Sequence, residues 1–270
     1  MKINRIIFCL NNNNLYKGFW NVCSKTFKFV YPDATPTLFI KTSKTEFEQL
    51  KSQNFLSEEY GEVYRIEPVK EVILNDDRDW STTWLLFYGA SLFPDDICMT
   101  SGIDQLHLSN KFDKIIKNFT DETYYVAPGE FVYEFNKGKF PLYPSGLHIA
   151  KGSRFKEVLE IDDNFDTEIK KVFSKRNLFE GRLPKDLWAL DEAYSSLLID
   201  EKIKQGDNNI KFAPDFFWKG YWSPRRLCRS RKIVYDADKL KEGFYTEIHC
   251  PRPYEENKEI LDKIVSDLLL

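Results

Sequence analysis

Cysteine is scarce in this chain of 270 residues: Cys9, Cys23, Cys98, Cys228 and Cys250 are odd in number, widely spread and never arranged as C-x-x-C. That spacing argues against a disulfide framework or a cysteine-rich zinc site and predicts free, mostly buried thiols. Long apolar runs are missing as well. No stretch approaches the roughly 18 consecutive apolar residues that span a bilayer, and the opening MKINRIIFCL breaks into asparagine too early to read as a signal peptide. A cytoplasmic protein without a membrane span is the expectation. Neither sign of charge dominates, since 39 Lys and Arg against 42 Asp and Glu leave a formal charge of -3. There is therefore no global electrostatic case for nucleic acid, and any anion site must be local. Glycine is absent where a phosphate loop or a dinucleotide fingerprint would need it; Asn11 to Asn14 stand there instead. Neither a Gly-x-Ser-x-Gly elbow nor a His-Glu-x-x-His zinc motif occurs, which disfavours the common hydrolases.

What the chain has is apolar and aromatic mass: 42% hydrophobic residues, with 22 Phe and 14 Tyr, enough for a substantial core. Residues 3–10 (INRIIFCL) form a β-branched and aromatic run stopped by four asparagines, the pattern of a buried strand ending at Asn11. Leu15, Phe19, Val22, Cys23 and Thr26 then fall near helical spacing, and residues 35–42 (TPTLFIKT) read as a second strand. A strand, helix, strand opening predicts a parallel α/β sheet. The alternation continues through TEFEQLKS, VYRIEPV and a helix from Trp80 to Phe93. DDICMTSGIDQLHLS next carries an apolar strand into a polar turn with Asp104 at its mouth. Ligands of open parallel sheets bind beyond the carboxyl ends of the strands, so the Asn11 loop and the Ser101–Asp104 turn are expected to face one crevice.

Later segments read as strands (ETYYVAPGEFVYEF, FPLYPSGLHIAKG), a helix after Gly152, an amphipathic helix over 184–203, a strand-like FYTEIHC and a C-terminal helix ENKEILDKIVSDLLL. With no repeat and no linker, one domain over 1–270 is the simplest division.

The run from Trp80 to Ser109 resembles the central signature of GT-A glycosyltransferases, in which a helix that contacts the nucleotide leads into a strand ending in Asp-x-Asp. Segments 142–159 and 188–198 resemble the later acceptor-side elements of that family, and the likeness spans roughly residues 3–255. It implies an α/β fold, a three-layer α/β/α sandwich with a mainly parallel central sheet. It also implies transfer of a sugar from a nucleoside-diphosphate donor to a hydroxyl acceptor, such as a glycan, with Mn2+ or Mg2+ holding the donor diphosphate. The chain departs from the pattern at its first carboxylate, where Gly102 gives Gly102-Ile103-Asp104. Three readings remain open: a metal held by Asp104 with other ligands, metal-free transfer supported by basic side chains, or a site that only binds.

The resemblance assigns donor binding to Leu10, Asn11, Asn12, Trp84, Tyr88, Ser101, Gly102 and Ile103, and metal binding to Asp104 and His249. His148 and Trp188 border the acceptor pocket. Asp191 is the candidate general base, with Glu192 its competitor, since a carboxylate near the crevice can take the acceptor proton as its oxygen attacks. The plainer reading makes these two the first-turn acids of an amphipathic helix. Lys219 to Lys232 holds six basic residues and no acidic one. Lys219, Arg225 and Arg226 would close over the diphosphate, or else form a solvated basic face. Asp104 is also read as a strand-end turn residue and His249 as a structural histidine; His107 is a possible substitute ligand. Direct displacement with one base would invert the anomeric centre, and a retaining outcome stays open. From other classes, a noncatalytic nucleotide- or glycan-binding protein and a sugar nucleotidyltransferase remain as alternatives.

Overall fold

The computed structural model describes residues 1–69, 79–126, 131–135, 138–179, 187, 189–213, 226–228 and 233–270, with backbone alone for 131–135, 138–141, 226 and 228. In chain order the elements are β1 (Arg5–Asn11), α1 (Phe19–Val30), β2 (Thr35–Lys41), α2 (Lys44–Ser52), β3 (Glu62–Ile66), α3 (Trp80–Ser91), β4 (Ile97–Thr100), β5 (Gln105–His107), α4 (Lys111–Ile116) and β6 (Tyr124–Val126). There follow β7 (Phe131–Phe135), β8 (Gly138–Leu142), β9 (His148–Lys151), α5 (Gly152–Val158), α6 (Phe165–Ser174), α7 (Leu190–Lys204), β10 (Ile210–Phe212), β11 (Arg226–Cys228), α8 (Ala237–Lys241), β12 (Glu247–His249) and α9 (Tyr254–Leu269).

Among the described residues a seven-stranded sheet runs in the order β10-β6-β9-β4-β1-β2-β3. β3, β2, β1 and β4 are mutually parallel, as are β6 and β10, and only β9 runs antiparallel to its neighbours. A strand inside such a sheet is buried on both faces, which is why β1 and β2 read as near-continuous apolar runs. Side-chain alternation then divides them: Ile6, Phe8 and Leu10 enter one core, Ile7 and Cys9 the other. Against the first core pack Phe19, Cys23 and Phe27, one turn apart on α1, together with Leu261, Ile264 and Val265 of α9. Against the second pack α3, α5 and α7. These are the three layers expected, helices over both faces of a mainly parallel sheet.

α3 is apolar all round because it is covered all round. Gly89 lies against the Phe39 ring, while Trp84 meets Tyr194 of α7 at 5.7 Å and Phe87 meets Phe155 of α5 at 6.4 Å. α7 departs from the amphipathic expectation for the same reason: it starts at Leu190, and Asp191, Ala193, Tyr194, Ser195 and Ser196 are buried in succession. Its polar residues serve the chain around them; Ser196 Oγ accepts from Tyr143 N at 2.7 Å and Asp200 accepts from the Tyr143 hydroxyl at 2.8 Å.

The amino-terminal edge of the sheet is closed by Arg5. Its guanidinium donates to Asp96 at 2.8 Å, to Glu62 at 2.6 Å and to Thr37 Oγ1 at 2.8 Å, and stacks 3.7 Å from the Phe93 ring. A planar cation with fixed donors suits such a multi-partner corner. The carboxyl edge is left to the loops. No helix among the described residues is long and apolar enough to cross a membrane.

α5 begins without a side chain for a steric reason. A Cβ on Gly152 would stand 2.1 Å from Phe93 O and 2.6 Å from Ala90 O, both backbone atoms that cannot swing aside. Gly152→Ala is expected to cost on the order of 3 kcal/mol as an overpacked core site does. Thermal unfolding should show a fall in Tm of several degrees; an unchanged Tm would contradict this packing.

Candidate functional site

The site is built on the turn that leaves β4. Ser101 N donates to Ile7 O at 3.0 Å, Gln105 N to Gly102 O at 3.0 Å, Cys250 N to Asp104 O at 2.8 Å, and the Cys23 thiol to Ile103 O at 2.9 Å. One bond within the turn and anchors from three other segments leave it little freedom. A second loop is tied beside it: Thr100 Oγ1 donates to Ser145 O at 2.8 Å and accepts from His148 N at 2.9 Å. The approach is close, for a Cβ on Gly146 would lie 3.3 Å from Gln105 Oε1, and one on Gly102 3.3 Å from Asp104 Oδ1.

From the turn the chain enters β5, which pairs antiparallel with β12 so that Gln105 faces His249. The register delivers His249 and the residues after it to Asp104. His249 Nε2 lies 3.3 Å and Arg252 Nε 3.4 Å from Asp104 Oδ2. β12 in turn pairs parallel with β11, which sets the backbone of Cys228 opposite His249. This brings the backbone of Arg226–Cys228 beside β12, while Lys219 and Arg225 lie outside the described residues and Arg226 is described by its backbone alone.

A divalent cation of the Mg2+ type requires a near-octahedral oxygen shell and usually more than one carboxylate or phosphate oxygen. Here Gly102 offers none, and the Oδ2 of Asp104 already faces an imidazole and a guanidinium. Among the described residues no group of three or more His, Cys, Asp or Glu side chains could hold a metal. The carboxylate that would face a donor diphosphate is thus already matched by two groups of the chain itself.

A second pair of acids opens α7. Asp191 is buried, with the Thr83 and Ser145 side chains and the first backbone N–H groups of α7 near enough to favour its ionised form. Glu192 Oε1 accepts from Ser145 N at 3.4 Å. Burial raises both carboxyl pKa values, Asp191 to about 7 and Glu192 to about 8, and for Glu192 the Asp191 charge adds to the effect. Such neighbours titrate as a pair, which burial keeps from losing both protons readily.

Lys41 ends β2 on the same edge. Its ammonium binds the Asp79 carboxylate and lies 2.5 Å from Ser81 Oγ at the start of α3. Burial raises the Cys9 thiol pKa, the Asp191 and Asp104 carboxylates add to the rise, and Lys41 opposes it. β1 and β4 are in register at Ile7 and Thr100. The loop after Asn11 and the turn bearing Asp104 therefore leave the sheet over one edge, with the α7 acids beside them.

The structure corrects the expected contacts of Trp84, Tyr88 and His148. Trp84 is fully buried and donates to Glu168 at 3.0 Å, and the Tyr88 hydroxyl donates to Asp163 O at 3.0 Å, so neither ring is available to a nucleotide. α3 meets the crevice only through its first turn, at Asp79, Ser81 and Thr83. His148 is a core histidine: Nδ1 meets the Tyr124 hydroxyl at 3.0 Å, Nε2 meets Pro144 O at 2.9 Å, and burial drives its pKa down to about 4. His107 is likewise buried, between Phe27 and Phe112 with Nδ1 3.1 Å from the Tyr31 hydroxyl. The Leu10 and Ile103 side chains belong to the core, leaving only their backbone for a ligand. Ser101 is buried with its Oγ 3.4 Å from Gly102 O. Asn11 and Asn12 stay on the surface of the loop, with Asn11 Oδ1 accepting from Asn13 N at 3.1 Å and Asn12 Nδ2 donating to Glu46 at 2.7 Å. Trp188 lies outside the described residues.

Lys41, Asp79, Thr83, Ser145 and Arg252 are the site residues that reading the sequence missed. Arg252 carried a signal, since Pro251 and Pro253 restrict its backbone next to His249. The others look in sequence like any strand-end or helix-start polar residue.

No protein-family model matches the sequence, and no curated protein matches it. Solved structures do. The galactosyltransferase LgtC in complex with donor and acceptor sugar analogues superposes with a TM-score of 0.56 at 10% identity, over 98% of this chain and 96% of that one. The glycosyltransferase GlyE of Streptococcus pneumoniae TIGR4 gives 0.50 at 8% identity, over 100% of this chain and 64% of that one. At such identities the likeness speaks of architecture, and the architecture is the GT-A glycosyltransferase fold.

Proposed function

We propose that the chain transfers a sugar from a nucleoside-diphosphate donor to a hydroxyl acceptor. One observation carries this reading: on the fold shared with LgtC, which is solved with donor and acceptor sugar analogues, the buried Asp191 and the half-buried Glu192 stand at the carboxyl edge, tied through Ser145 to the end of β4. In the reaction the bond from the anomeric carbon to the diphosphate oxygen breaks and one to the acceptor oxygen forms. Asp191, deprotonated first, accepts the acceptor proton, and Glu192 holds the proton the pair retains near neutrality. The nucleoside diphosphate leaves with the bonding electrons, its charge met by basic side chains at the edge. In this reading the charge at Asp104 is met by Arg252 and His249 of the chain itself.

The test is thermal stabilisation by UDP, GDP and dTDP, followed by hydrolysis or transfer of the matching sugar donors. Stabilisation with turnover supports the enzyme; stabilisation without turnover for any donor assigns the chain to noncatalytic nucleotide binding instead. In an active enzyme Asp191→Asn should lower kcat by about 10²-fold or more, the usual worth of a general base, without lowering Tm. Retained activity would remove Asp191 from the chemistry.

The raised acids also fix opposite pH trends for rate and stability. Between about pH 4 and 8 the unfolded chain has released protons that the folded pair retains, so stability falls as pH rises. The slope is at most about 1.4 kcal/mol per pH unit for each group. Asp191→Asn and Glu192→Gln should each flatten it in denaturant titrations at pH 5 and pH 8. Over the same window kcat/KM should climb as Asp191 ionises near pH 7; a rate that falls through this range would contradict the base assignment.

A further inference from the structure

The acid at the mouth of β4 is already matched by a cation of the chain itself. Arg252 Nε lies 3.4 Å from Asp104 Oδ2, on the same oxygen that His249 Nε2 approaches at 3.3 Å. The guanidinium also rests 4.9 Å from the Tyr16 ring, which belongs to the segment following β1. Arg252 therefore spans the two loops that leave the sheet over the candidate crevice. An arginine carries five N–H donors in a planar fork. The ion pair uses Nε, and the terminal Nη donors make no hydrogen bond or ion pair to other described residues. The side chain is 25% exposed, so these donors can be reached by a ligand.

Charge and geometry oppose a divalent ion at this point. Gly102 contributes no second carboxylate, and a metal at Asp104 Oδ2 would sit against a guanidinium in a partly desolvated site, where like charges repel strongly. A diphosphate is the converse case: its oxygens match the open side of the guanidinium in bidentate fashion, and Asp104 with Tyr16 holds the fork in place.

Resting on the donor class proposed above, we infer that this site binds the nucleoside diphosphate without a divalent metal, Arg252 taking the place of the cation and Asp104 serving to position it. Arg252 is then a phosphate-binding residue and Asp104 a positioning residue, the reverse of the metal-ligand assignment that the degenerate motif implies.

Calorimetric titration of the full chain with UDP and GDP, in EDTA and separately in Mn2+ or Mg2+, tests this. Affinity for at least one of them should agree within about threefold between the two conditions. Arg252→Gln should weaken that nucleotide by about tenfold or more. The matching nucleoside, which lacks phosphates, should bind variant and parent alike, showing that the fold and base site are intact. Arg252→Lys should restore only part of the loss, since an ammonium is not a bidentate fork. Nucleotide binding that appears only with Mn2+ or Mg2+, or that survives Arg252→Gln unchanged in EDTA, overturns the inference and leaves the glycosyltransferase reading standing. If no nucleoside diphosphate binds under either condition, the reading beneath it fails as well.

Discussion

The antiparallel pairing of β5 with β12 is the constraint on which the candidate site depends. β5 follows the Asp104 turn directly, so its register against Glu247–His249 fixes which late residues reach that turn. One consequence is the contact of His249 with Asp104; another, three residues on, is the arrival of Arg252 at the same carboxylate oxygen. A slip of one residue would turn every β12 side chain to the other face. Ile248, buried in the first core, guards against that slip because its displacement would expose a large apolar side chain.

The carboxylates near the edge live in two electrostatic settings. Asp104 has a guanidinium and an imidazole at hand. Among the described residues Asp191 and Glu192 form no ion pair, and burial disfavours their charged forms, so the pair resists losing its second proton. Environment, not residue type, separates an acid that orients a cation from acids suited to proton transfer. The chain supports the second setting structurally. Thr83 from α3 and Ser145 from the loop before β9 both reach Asp191, so the first turn of α7 is braced from two directions.

Stability is concentrated away from this chemistry. Arg5 joins β1 to Glu62 of β3 and to Asp96 before β4 at the amino-terminal edge, and Gly152 allows α5 to start against the backbone after α3. The carboxyl edge is built from turns and polar side chains on that rigid base, the usual division between scaffold and site.

Much of the fold was legible in the chain because apolar periodicity is a local property. The run INRIIFCL, the spacing of Phe19, Cys23 and Phe27, and TPTLFIKT specify a strand, a helix and a strand by themselves, and from them follow a parallel sheet and the carboxyl edge as the place of a site. Asp104, Gly102, Asp191 and Glu192 were visible as residues in a recognisable order. The partners were decided by tertiary structure alone. Whether Trp84, Tyr88 and His148 face a crevice or a core depends on what covers α3 and β9, and helices α5, α6 and α7 cover them. Whether Asp104 awaits a metal or holds an arginine depends on a contact across 148 positions (104 to 252), made by strand pairing that no local pattern encodes. Periodicity acts over a few residues and could be read; charge balance and burial arise only when distant segments meet.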